Sequence, residues 1–96
     1  MSQYQNLRIW QKSVDLTVEI YELTKNFPDN ERYGIVSQMQ RASVSVPSNI
    51  AEGATRQHKK EFINFLYIGL SSLSELNTQV IITQKIGYKI IFNVKS

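Results

Sequence analysis

The sequence predicts an all-α protein, a bundle of amphipathic helices, and three stretches carry that prediction. Between Asn6 and Lys25 apolar residues recur near every 3.6 positions, the repeat of a helix with one buried face. From Ile35 to Gly53 a polar stripe of Gln38, Arg41, Ser45, Ser48 and Glu52 runs beside an apolar stripe of Ile35, Met39, Ala42, Val46 and Ile50. From Phe62 to Thr83 the residues Phe62, Leu66, Gly69, Leu73, Leu76, Val80 and Thr83 alternate spacings of four and three. That heptad-type seam predicts shallow, left-handed packing against other helices.

The first helix is expected over about residues 6–26, with Trp10 as its packing anchor and Val14, Val18 and Tyr21 on the same broad face. Phe27-Pro28-Asp29-Asn30 ends it, because proline cannot continue a helix, and Asp29 or Asn30 offers a cap for the next. The second helix is expected over 30–52 with a disturbance at Pro47, which lacks the amide that would bond to the Ser43 carbonyl. Hydroxyls of Ser43, Ser45 and Ser48 stand ready to take up freed backbone groups there. Gly53 fits a left-handed helix stop, and Thr55 a cap for the third helix, expected over 57–86 and closed by Gly87. A short tail, 88–96, is rich in β-branched and aromatic residues and matches none of these patterns.

Ninety-six residues make a single domain, 1–96, that buries only about two thirds of its unfolded surface, so association between subunits is expected to add to its core. The chain has no cysteine, which excludes disulfides, thiolate metal sites and cysteine nucleophiles. Its single histidine, His58, sits beside two lysines, leaving no material for a histidine-dependent triad or a carboxylate-histidine metal centre. No catalytic constellation, metal site or cofactor is therefore expected, and the protein is read as non-enzymatic. The start, Met-Ser-Gln-Tyr-Gln-Asn, has no leader pattern and no stretch reaches membrane-spanning length, so a cytoplasmic protein without membrane contact is expected.

The net charge of +3 permits a polyanionic partner, and its placement is informative. Arg56, His58, Lys59 and Lys60 form the one dense basic cluster, at a turn and helix start where free amides favour anions. Arg8 and Lys12, one helical turn apart, are a second basic strip, either free or balanced by Asp15 and Glu19. Arg41, on the polar stripe, is either a ligand contact or one half of an ion pair with an acid such as Glu75. Tyr33, Phe65 and Tyr67 have the spacing of core residues, with base stacking as the alternative. RNA or DNA is the leading partner.

Several runs resemble one known family. They are Leu7-Arg8-Ile9-Trp10-Gln11-Lys12, Phe27-Pro28 with Glu31-Arg32, Gln38 with Arg41-Ala42, Ser45-Val46-Pro47-Ser48-Asn49-Ile50-Ala51-Glu52-Gly53, Glu61-Phe62 with Phe65-Leu66-Tyr67-Ile68, and Ser72-Leu73-Ser74-Glu75-Leu76. Together they resemble the four-helix bundle proteins named for reading frames within intervening sequences of bacterial 23S ribosomal RNA genes. The resemblance implies an up-and-down antiparallel bundle of the four-helix type, assembled as a ring, typically a homopentamer. It implies structural roles for Trp10, Pro47, Asn49, Glu52, Gly53 and Glu75. It also implies kinship with the accessory proteins of diversity-generating retroelements, whose basic rings engage a reverse transcriptase and nucleic acid.

Two departures from the family pattern are visible. Gln40 stands where a second arginine commonly precedes Arg41, and the fourth amphipathic helix expected after Gly87-Tyr88 is missing from the pattern, as if truncated, frame-shifted or borrowed from elsewhere. An apolar face of the first and third helices is then expected to stay open. Two further roles follow as alternatives to nucleic-acid binding: a scaffold that recruits a nucleic-acid enzyme such as a reverse transcriptase, or a truncated remnant without function.

Overall fold

The computed structural model describes residues 3–90. Three α-helices form an up-down-up arrangement, α1 over Arg8–Thr24, α2 over Ile35–Ala54 and α3 over Lys59–Ile86. Among the described residues there is no strand and no fourth helix; residues 91–96, most of the expected tail, lie outside them. α1 and α3 both pack on α2, and their own backbones stay apart. Because each is antiparallel to α2, they run parallel to one another.

The helix ends differ from the sequence reading for identifiable reasons. α1 starts at Arg8 because Leu7 is extended (φ −75°, ψ 125°) after a 3₁₀ turn over Tyr4–Asn6. Neither Asp29 nor Asn30 caps α2. They belong to a second 3₁₀ turn, Asp29–Glu31, and α2 begins only after Gly34, with no side-chain cap. Thr55 caps nothing in α3; its hydroxyl donates to the Glu52 carbonyl at 2.8 Å and closes the end of α2.

Pro47 does not break α2, which is continuous from Ile35 to Ala54. The carbonyl it orphans, that of Ser43, accepts a 2.8 Å hydrogen bond from the Thr17 hydroxyl of α1, which also lies 3.0 Å from the Ser13 carbonyl. A neighbouring helix, not the local serines, repairs the defect. Ser43 turns its hydroxyl to the Gln40 carbonyl and Ser45 pairs with Ser72 of α3 at 2.8 Å, while Ser48 is exposed. Asn49 bonds back to Ser45 within α2.

Gly53 lies inside the helix, and the left-handed stop expected there is absent. A Cβ at this position would stand 2.7 Å from the Phe65 Cβ and 3.2 Å from the Phe62 carbonyl oxygen, so the missing side chain is what lets α2 and α3 approach. Gly87 does end α3 in the left-handed region (φ 108°). Its amide donates to the Gln84 carbonyl and the Tyr88 amide to the Thr83 carbonyl, the paired bonds of a Schellman stop.

The core gathers Ile20, Leu23, Phe27, Val36, Met39, Ala42 and Leu76, with Leu16, Ile35, Val80, Tyr88 and Ile90 packed against it. The tail thus begins as part of the core: Tyr88 stacks on Phe27 with ring centres 5.0 Å apart and donates its hydroxyl to Glu31 at 2.7 Å.

The heptad seam of α3 divides in two. Gly69, Leu76 and Thr83 are buried against α2, whereas Leu66, Leu73 and Val80 sit on the shoulder facing α1. Between that shoulder and α1 runs an open trough floored by Val46 and Ile50, with contiguous cavities of about 340 and 160 Å³ that share Leu16 and Leu73. Among the described residues nothing covers this apolar face of α1 and α3. No described helix is long and apolar enough to cross a membrane.

Candidate nucleic-acid interface

The turn between α2 and α3 sets the basic cluster. Arg56 is held twice: its guanidinium lies 3.4 Å from the Glu52 carboxylate and 5.0 Å over the Phe65 ring centre. His58 occupies the N-cap of α3 in extended geometry (φ −105°, ψ 133°), and Lys59 and Lys60 are the first helical residues. All three are exposed, and among the described residues none forms an ion pair. First-turn amides of a helix lack internal acceptors, so positive backbone dipole adds to the two ammonium groups.

Since α1 and α3 run parallel, the start of α1 comes to this same end of the bundle. Arg8 and Lys12 are exposed, and neither pairs with Asp15 or Glu19. Lys12 also lines the trough, opposite Leu66 and Leu70. Six of the seven sequence-predicted basic residues thus share one end. Trp10 is half-buried beside Tyr4, with ring centres 5.4 Å apart at 69°.

Arg41 is the exception. Thirteen residues of α2 separate it from Ala54, about 20 Å at the helical rise. It lines a separate polar groove of about 370 Å³ with Gln38, Ser45, Ser72 and Glu75. The ion pair with Glu75 is not formed; Glu75 instead accepts from the buried Gln79 amide at 3.4 Å. Among the described residues Gln79 Oε1 has no hydrogen-bond partner. Gln40 is half-buried, turns toward α1 and donates to the Thr24 hydroxyl at 3.3 Å, so it does not belong to the exposed surface of Arg41.

The aromatic expectation needs correction. Tyr33 and Tyr67 are 89% and 65% exposed, not core residues. Tyr67 follows Lys60 by seven positions, two turns along the same face of α3. Phe65, half-buried beneath Arg56, is the residue the sequence reading left without its role, because the pairing depends on how the turn folds back. Among the described residues no three His, Cys, Asp or Glu side chains converge on a common metal position.

A family model for the 23S rRNA-intervening sequence protein matches residues 5–91. The chain belongs to that family. The match takes in all three helices of the bundle together with the basic turn. Comparison with curated proteins finds no match.

Proposed function

We propose that this family member is a non-enzymatic, oligomeric helical-bundle protein of the cytoplasm that binds RNA or DNA through the basic end of the bundle. The observation that carries the reading is the exposure of His58 at the N-cap and of Lys59 and Lys60 on the first turn of a 28-residue helix, without ion partners among the described residues. Arg8 and Lys12 extend the positive surface from α1, and Tyr67 offers a ring for a base to stack on beyond Lys60. Repetition around a ring, a homopentamer by family likeness, multiplies a modest charge per subunit into a continuous band. Phosphate recognition of this kind has little sequence preference and strong salt dependence.

The test is fluorescence anisotropy with a labelled structured RNA and a matched DNA duplex, titrated over several salt concentrations. Binding should weaken steeply as salt rises. Lys59→Glu with Lys60→Glu should abolish most of it and lower the log-log salt slope by about two, near 0.9 per phosphate contact. Unchanged binding by that variant, with its oligomeric state intact, would overturn the proposal.

A second reading is favoured by the open trough: a scaffold that recruits a nucleic-acid enzyme such as a reverse transcriptase, in the manner of retroelement accessory proteins. In that case the basic end touches nucleic acid only incidentally.

A further inference from the structure

Tyr67 presents a bare ring. Tyr4 is packed edge-on against Trp10, Tyr88 tilts on Phe27, and Tyr33 carries the Arg32 guanidinium 5.7 Å over its ring centre. Tyr21 adjoins Glu22 and is one turn from Lys25, which Glu22 already pairs. The Tyr67 side chain, 65% exposed, has no aromatic, cationic or hydrogen-bonding partner among the described residues.

The ring stands in a row that ends in lysine on both sides. Lys60, Tyr67, Ser74, Thr78 and Lys85 follow one another at spacings of seven, seven, four and seven, so they share one ridge of α3, within about 40° of each other. All five are exposed, and the ridge is about 38 Å long. Neither lysine is in an ion pair among the described residues. The acids of α3 lie off the ridge: Glu61 is half-buried, and Glu75 lines the polar groove beside α2. A polyanion laid along the ridge therefore meets a cation at each end, uncharged hydroxyls between, and one open ring.

We infer that this ridge takes an unpaired strand of nucleic acid, with phosphates on Lys60 and Lys85 and a base stacked on Tyr67, in preference to a duplex. In a duplex each base is already stacked on its neighbours, and a ring reaches its face only by unstacking a step, which costs about what the contact returns. An unpaired base offers its face without that cost. The inference rests on the nucleic-acid reading above and adds to it the state of the strand and the path it follows away from the basic turn.

The probe is a labelled mixed-sequence strand of about fifteen nucleotides that cannot pair with itself, within the range single-strand sites span, titrated alone and annealed to its complement. Tyr67→Ala, at an exposed position and therefore compatible with folding, should weaken binding of the single strand about fivefold or more and that of the duplex less than about twofold. It should leave the salt slope unchanged, because a ring releases no counterions, and Tyr67→Phe should bind like the parent. Lys85→Glu should lower the single-strand salt slope by about 0.7, one phosphate contact. Tyr67→Ala without effect on the single strand, an equal loss on both forms, or a slope indifferent to Lys85→Glu would overturn the inference. Each of those results leaves the basic turn standing, since the turn is judged by the Lys59 and Lys60 substitutions. Absence of binding to either form would remove both.

Discussion

The two sides of α3 are made from one heptad repeat and meet opposite fates. Toward α2, Leu76 is 2% exposed and Gly69 and Thr83 are buried; toward the trough, Leu73 is 39% exposed and Leu70 more so. Apolar spacing is similar on both sides, so spacing does not decide which is closed. Small residues do: Gly53 and Ala42 of α2 and Ser72 of α3 let two backbones approach and permit the Ser45–Ser72 bond. The trough walls are lined by Ile9, Leu16, Leu66, Leu70 and Leu73, larger side chains between helices whose backbones stay apart. The comparison shows that periodicity marks a face as needing a partner, while residue size shows how close that partner must come.

The largest effect should come from truncating the closed side. Leu76→Ala should cost about 2–5 kcal/mol, the transfer loss plus the cavity it leaves, whereas Leu73→Ala should cost under about 1 kcal/mol because water already reaches that side chain. Urea denaturation of the two variants checks this. Equal costs would mean that the trough is covered in solution.

The glycines sharpen the same contrast, with opposite signs. Gly53→Ala should destabilise by about 1–3 kcal/mol, since its Cβ would press on Phe65 and on the Phe62 backbone and overpack the seam. At Gly69 the nearest atom to an added Cβ is the Val46 carbonyl oxygen at 3.5 Å, ordinary contact distance. There Gly→Ala should stabilise by about 0.5–1 kcal/mol through the lower backbone entropy of the unfolded chain. Thermal melts of the pair decide it. A loss of stability at both positions would show that the whole α2–α3 seam is as tight as its Gly53 end.

Among roles set within one helix, sequence reasoning placed some well and put Val18 and Tyr21, 56% and 43% exposed, on the wrong face of α1. The all-α class, the seam of α3 and the Gly87 stop follow from spacing and from one residue's conformational freedom. What sequence reasoning missed lies between elements. Thr17 and Ser43 are twenty-six positions apart, and nothing in either local pattern says that one completes the other. Nothing in the local pattern of Gln40 says that it turns toward Thr24 of α1. At the candidate site the exposure of Lys59 and Lys60 was legible, because charged side chains at a helix start have few other places to go. The clamp of Glu52 and Phe65 on Arg56 was not, since it depends on the fold of the turn.

The Thr17 bond is testable as a partnership. Thr17→Val keeps the side-chain shape but leaves the Ser43 carbonyl without a donor in a residue that is wholly buried, at a cost of about 1 kcal/mol or more. With Pro47→Ala in the background, the restored amide at position 47 should satisfy that carbonyl and shrink the cost of Thr17→Val. A double-mutant cycle by chemical denaturation measures the difference. Strict additivity would disconnect Thr17 from the proline.

The smallest effect belongs to the end of α3, where the closed side is finished by Tyr88 and not by a helix. Its phenol is held above the ordinary value of 10.0, first by the hydrogen bond it donates to Glu31, then by burial and by the carboxylate's charge. All three causes favour the protonated phenol in the folded state, so the folded protein binds that proton more tightly than the unfolded chain does. The stability this contributes is fully present below pH 10, where both states are protonated. It is lost as the pH climbs through the raised folded value. Tyr88→Phe keeps the ring against Phe27 but removes the hydroxyl, so the variant should be less stable than the parent at neutral pH and should converge with it in alkali. Denaturation midpoints for both proteins from pH 7 to 11 give the comparison, with the other tyrosines cancelling between them. A constant gap across that range would mean that the ring, and not the hydroxyl on Glu31, closes this end of the core.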